Sequence, residues 1–211
     1  MGRGCQIGTR KNKIKGISFV MGDFSQNGII SNLHDFGTKT TADIEKELLK
    51  FSKERKMELI LPSLYSELKG DALPNIVKQI GETKYLNHII IGLDKATKSE
   101  AIMAWKFFKS LNTPFTILWN DGPKLKKLHE ELKEKGLAPN ETGKGRNVWY
   151  CLGMCIARDE ARSVALHDCD IKTYDRRMLA KLFYPVVNPF FNFEFCKGYY
   201  PRISNGKMNG R

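Results

Sequence analysis

From Thr40 onward, apolar positions alternate between a helical and an extended rhythm. Ile44, Leu48 and Phe51 recur at helical spacing behind a Thr-x-Asp cap. A short, mostly apolar run at 57–61 reads as a strand that Pro62 stops. Leu73, Val77 and Ile80 mark a second helix, and residues 89–93 a second strand ending in Asp94. Thr97-x-x-Glu100 is a capping-box pattern that opens a helix with Ala101, Trp105 and Phe108 on one face. Residues 115–119 form a third strand before an Asn120-Asp121-Gly122-Pro123 turn. Leu125, Leu128 and Leu132 make a narrow stripe on a highly charged helix that stops at Gly136. Trp149, Leu152 and Ile156 mark another helix. It leads into a fourth strand, Ser163-Val164-Ala165-Leu166, read as buried on both faces of a parallel sheet. Met178, Leu179 and Leu182 mark the last helix, followed by an aromatic stretch at 190–200.

Strands alternating with helices predict an α/β sandwich around a mainly parallel sheet. Residues 1–39 have little periodicity and many Gly and Asn, so they read as an N-terminal arm or extension, with the domain over 40–211.

Composition narrows the class. With 41% hydrophobic and 27% charged residues the chain is ordinary for a folded soluble protein. No apolar run approaches the roughly 20 residues of a membrane helix, and the basic N-terminus lacks the apolar core of a signal peptide. The expectation is a cytoplasmic protein that engages no membrane. The five cysteines are odd in number and include no Cys-x-x-Cys, which argues against disulfides or a zinc site. Cys151 and Cys155, four apart on a helix, read as small core residues.

The formal charge of +12 suggests nucleic acid, but its distribution points elsewhere. Arg3, Arg10, Lys11, Lys13 and Lys15 at one end, and Lys197, Arg202, Lys207 and Arg211 at the other, have no acidic residues among them. The body between is nearly balanced, and no helix-turn-helix, zinc-finger or RNP pattern occurs. No nucleic-acid partner is expected.

Candidate chemistry collects where the strands end. The first runs into Pro62-Ser63-Leu64-Tyr65-Ser66-Glu67, the second into Asp94, the third into Asn120-Asp121 and the fourth into Asp168-Cys169-Asp170. In a parallel sheet these ends share one edge, where open α/β folds bind ligands. Asp-x-Asp at a strand end suits a divalent cation that itself holds a diphosphate. Gly143-Lys144-Gly145-Arg146 precedes a helix, and its lysine between two glycines can meet a phosphate. Each residue has a plainer alternative: Asp94 and Asp121 as helix caps, Glu67 as a solvated acid, Lys144 as part of a basic surface turn. Lys197 and Arg202 in Lys197-Gly198-Tyr199-Tyr200-Pro201-Arg202 could face an anionic acceptor, or lie solvated on an edge strand.

In this order the motifs resemble those of the GT-A glycosyltransferases that make glucosyl-3-phosphoglycerate, a Rossmann-like α/β/α fold that binds nucleotide-sugars. The resemblance rests on 62–67, Gly143-Lys144-Gly145, Asp168-Cys169-Asp170 and 197–202. Ile91-Gly92-Leu93-Asp94, 118–123 and Asp23-Phe24-Ser25-Gln26-Asn27-Gly28 add to it, and it covers roughly residue 21 to the end. It implies retaining transfer of glucose from UDP-glucose to 3-phosphoglycerate, with Mg²⁺ or Mn²⁺, and allows a homodimer. By the same resemblance Pro62, Ser63, Leu64, Ser66, Glu67 and Asp94 hold the uridine. Lys144 contacts the nucleotide, Asp168 and Cys169 approach the ribose and donor, Asp170 binds the metal, and Arg202 lies near the acceptor phosphate. The usual Pro-x-x-Asn-Glu-Glu is here Pro-x-x-Tyr-Ser-Glu. The family also has a further C-terminal portion with a histidine metal ligand and much of the acceptor site, which none of His34, His88, His129 and His167 matches. The expectation is a chain that lacks this portion, binds the donor and transfers little, the alternative being a non-catalytic UDP/Mg²⁺-binding remnant.

Overall fold

The computed structural model describes residues 39–191 and 193–198, together with the backbone of three short strands at 30–32, 203–204 and 207–208. The described elements fall into two units, one of residues 29–200 and one of 1–28 with 201–211. In the second unit the described elements are a two-residue antiparallel pair of strands, Ile203–Ser204 with Lys207–Met208.

The larger unit starts with β1 (Ile30–Asn32), inside the stretch read as an arm, and continues through α1 (Thr41–Phe51) and β2 (Met57–Leu64). A 3₁₀ turn (Tyr65–Lys69) leads to α2 (Ala72–Gly81), β3 (His88–Asp94), α3 (Lys98–Phe108) and β4 (Phe115–Trp119). Then come α4 (Pro123–Glu134), α5 (Lys144–Arg158), β5 (Ser163–Leu166), α6 (Arg176–Val187) and β6 (Phe195–Lys197). Four strands form one parallel sheet in the order β4-β3-β2-β5, while β1 and β6 pair separately, also in parallel.

The pleat assigns each face. Met57, Leu59 and Leu61 of β2, Ile89 and Ile91 of β3 and Ala165 of β5 pack on α1, α2 and α6 through Ile44, Leu48, Leu73, Ile76, Ile80, Leu179 and Phe183. Ile60 and Ile90 point the other way, onto Cys151 and Cys155 of α5. Helices thus cover both faces, as the alternation predicts. Thr97 and Glu100 form the expected capping box, with Thr97 N donating to Glu100 Oε2 at 2.8 Å and Glu100 N to Thr97 Oγ1 at 3.3 Å. The same device opens α1, with Thr40 and Asp43. Cys151, Cys155 and Cys169 are free and buried, and burial pushes the Cys151 and Cys155 thiols up to about 12. No helix among the described residues is long and apolar enough to cross a membrane.

Three expectations change. The β2 strand does not stop at Pro62 but runs to Leu64, with Pro62 opposite Gly92. Ile60 accepts from His167 N, so Pro62, two residues on, turns its missing N–H toward the β5 side, where β5 has already ended and no ladder bond is lost. Nor is β5 buried on both faces: it is an edge strand, with Ser163 and Ala165 buried and Val164 and Leu166 exposed. Its apolar run describes composition, and an edge position leaves alternate side chains uncovered. Finally, α5 forms where expected, but Trp149, Leu152 and Ile156 lie on its exposed side, Ile156 at 78%. The face seated on the sheet is Asn147, Cys151 and Cys155, one turn apart, since small side chains let the helix lie close.

Candidate functional site

At the carboxyl edge of the sheet a cavity of about 250 Å³ is lined by residues from four separate segments. From β2 and the turn after it come Pro62, Ser63, Leu64 and Glu67; from the end of β3, Asp94 and Lys95. The start of α5 gives Gly143, Lys144 and Asn147, and the segment after β5 gives Asp168, Cys169 and Asp170.

Local structure fixes each group. Glu67 folds back so that Oε2 accepts from Leu64 N at 2.9 Å, which holds the 3₁₀ turn against the end of its own strand. Asp94 is buried and its Oδ1 accepts from Lys95 N at 3.1 Å. Lys95 itself sits at φ +53, a left-handed conformation rare for a residue with a side chain and typical of ligand-binding rims. Gly143 precedes α5 at φ +123, a region glycine alone enters freely, and no side chain caps the helix. The first N–H groups of α5 thus have no capping side chain, at a helix end whose dipole is positive, beside the Lys144 ammonium, which pairs with Asp168. Cys169 is 2% exposed, and burial drives its thiol upward; the neighbouring Ser63 hydroxyl donates to Leu64 O at 3.1 Å. His167, just before, is held neutral by burial at about 4, against the ring of Tyr174.

Of the residues singled out in the sequence, Pro62, Ser63, Leu64, Glu67, Asp94, Lys144, Asp168, Cys169 and Asp170 all line this cavity. Ser66 is exposed on the turn and does not line it. Asp121 neither lines the cavity nor caps the next helix, whose N-cap is Gly122: its Oδ2 accepts from Ala96 N at 3.0 Å and ties the β3–α3 loop to the end of β4. Arg202, with Tyr199, Tyr200 and Pro201, lies outside the described residues. Lys95 and Asn147 were not legible as site residues. The available signal for Asn147 was its place four and eight residues before two cysteines, which puts it on the sheet-facing line of α5.

A larger, mainly apolar cavity of about 610 Å³ runs along the outer edge of β5 and the adjacent side of α6 and β6, past Val164, Leu166, Met178 and Leu182. Asp168 lines both cavities, and Lys197 lines this one. The smaller cavity holds the convergent polar groups, and it is the one with the chemistry.

Four carboxylates, Glu67, Asp94, Asp168 and Asp170, face two lysines there. Among the described residues no three His, Cys, Asp or Glu side chains gather into a complete metal cage. Mg²⁺-type ions need none, since they are commonly held by one or two carboxylates plus phosphate and water oxygens. Asp170, exposed at the rim, with Asp168 two residues before it, fits that donor set. If Lys144 meets an anion here, Lys144→Ala is expected to weaken UDP binding by about 1.5–3 kcal/mol, roughly tenfold to more than a hundredfold. Thermal stability should hardly change, because the Lys144–Asp168 pair is solvent-exposed. Calorimetry with UDP checks the first part, and unaltered affinity would return Lys144 to a solvated turn.

No protein-family model matches the chain. A curated glucosyl-3-phosphoglycerate synthase of Persephonella marina is 44% identical over 191 residues, 90% of this chain and 47% of the relative. Another of that name, from Methanococcoides burtonii, is 37% identical over 188 residues, 88% of this chain and 45% of the relative. Among solved structures, glucosyl-3-phosphoglycerate synthase of Mycobacterium tuberculosis with Mn²⁺ and UDP-glucose is 17% identical, with a TM-score of 0.48 over 77% of this chain and 48% of that one, a likeness too loose to build on. Over nine-tenths of its own length the chain is homologous to curated glucosyl-3-phosphoglycerate synthases, and it spans about half the length of those relatives.

Proposed function

We propose that the chain forms the donor-binding part of a GT-A-type retaining glucosyltransferase that takes UDP-glucose with Mg²⁺ or Mn²⁺ and directs glucose to 3-phosphoglycerate. The observation that carries this reading is convergence. Nine residues drawn from separate motifs line one cavity at the sheet's carboxyl edge, in a chain 44% identical to a protein of that named activity.

Each group has a task in such a transfer. The end of β2, Glu67 and Asp94 wall the part of the cavity suited to a nucleoside, with Asp94 buried enough to fix an orientation through hydrogen bonds. Lys144 and the uncapped start of α5 face the diphosphate. As the bond from the glucose anomeric carbon to UDP oxygen breaks, negative charge develops on the departing diphosphate, and fixed N–H dipoles and an ammonium there stabilise it. Asp168, lining both cavities, stands where the ribose and sugar would pass from donor site to groove. Asp170 would hold the cation, which when bound supplies further charge neutralisation at the leaving diphosphate. Arg202 is proposed for the acceptor phosphate.

Titration calorimetry with UDP, UDP-glucose and GDP-mannose, with and without Mg²⁺ or Mn²⁺, tests this reading. Cation-dependent binding of the uridine ligands is expected, and absence of any UDP binding at millimolar concentration would overturn it. Asp170→Ala should abolish the cation-dependent part while leaving the circular dichroism spectrum and melting temperature unchanged, because the residue is exposed. Cation-stimulated UDP binding that survives in that variant would remove Asp170 from the metal site.

A further inference from the structure

We propose that Asn147 is the positioning residue of the donor site: its buried carboxamide seats the first turn of α5, and with it Lys144, against the end of β3. This rests on the donor-site reading above. Asn147 is 3% exposed, and both its polar atoms are committed to protein. Its Nδ2 donates to Gly92 O at 2.7 Å, and its Oδ1 accepts from Cys151 Sγ at 3.6 Å. Its backbone N–H donates to Gly143 O at 3.1 Å, the bond that starts the helix.

The two ends of this brace are the two sides of the site. Gly92 lies two residues before Asp94, and Asn147 three residues after Lys144; all but Gly92 line the cavity. Asn147 thus acts through its neighbours, since the nitrogen and the oxygen of its amide each already have a protein partner. Other restraints on this turn are weak. Gly143 offers no capping side chain, and the Lys144–Asp168 pair is exposed. Gly92 completes the fit, because a Cβ there would stand 1.8 Å from Asn147 Oδ1. A buried amide satisfied on both sides has one low-energy placement, and that rigidity is what a phosphate-facing helix start requires.

The test is a double-mutant cycle on the full chain, with UDP and Mn²⁺ as probes and hydrogen exchange as a second readout. Asn147→Ala should weaken UDP binding about tenfold. If Asn147 works through Lys144, the Lys144→Ala/Asn147→Ala double variant should bind UDP within about twofold of Lys144→Ala alone. Hydrogen exchange should accelerate in the first turns of α5 and not in β2 or β3. Independent, additive losses of affinity, or unchanged exchange at 144–151 in folded Asn147→Ala, would overturn the proposal. Should the alanine variant fail to fold, Asn147→Ser, too short to reach Gly92 O, takes its place. If the unmodified chain binds no UDP, the donor-site reading falls, and exchange at 144–151 alone decides whether the brace exists.

Discussion

Arg158→Ala is expected to destabilise the fold by about 3–5 kcal/mol, at the low end of that range because the arginine is partly exposed. Glu58 lies on β2 with its side chain 1% exposed, under the last turn of α5. Its Oε1 meets Arg158 Nε at 3.2 Å, and among the described residues Oε2 has no hydrogen-bond partner. Deleting the guanidinium would leave a buried carboxylate inside the sheet–helix interface without its counter-charge. Arg158 also reaches Glu160 Oε1 at 3.0 Å through Nη2, but Glu160 is half-exposed and contributes little. Urea unfolding measures the effect, and a loss below about 1 kcal/mol would mean that Glu58 finds solvent without its partner. Replacing both residues by leucine should recover most of the loss, since an apolar pair of similar size needs no counter-ion.

Gly92→Val should reach or exceed the upper end of the about 1–3 kcal/mol typical of overpacking, and should remove UDP binding as well. A Cβ at this position would stand 2.6 Å from Cys151 Sγ in addition to the Asn147 contact. Both atoms belong to one rigid face of α5, so neither can yield unless the helix lifts. Lifting it would carry the start of α5 away from Asp94 and Asp168. Thermal unfolding and UDP calorimetry on the same variant check both effects. Wild-type values in both would show that α5 does not lie on Gly92.

The contrast between Cys151 and Ile156 shows what could be read from the chain and what could not. Strands at 57–61, 89–93 and 115–119 were legible because strands of a parallel sheet read as short, mostly apolar runs bounded by Pro, Asn, Asp and Gly. The carboxyl edge of the sheet was legible too, because acids and other polar residues collect where each strand ends. Which face of α5 meets the sheet was not, because hydrophobicity ranks Ile156 above Cys151, whereas close approach over a glycine selects the smaller side chain. Asn147 was hidden for the same reason: a polar residue on the inward line of a helix gains meaning only from the carbonyl it reaches, 55 residues earlier. The edge position of β5 was equally illegible, since four apolar-rich residues read alike at a sheet's centre and at its margin.

The strand order has a consequence in time. The neighbour of β2 on its outer side is β5, more than a hundred residues later in the chain, and β5 is also the strand that delivers Asp168 and Asp170. At ribosomal rates of about 5–20 residues per second, roughly 5–20 seconds separate the emergence of the two strands. During that interval β2 can pair with β3, yet its other edge, at Glu58 and Ile60, has no strand beside it and can recruit foreign ones. The cavity, too, exists only once this long-range pairing closes. For a nascent chain, completing the cavity and covering the open edge of β2 are one event.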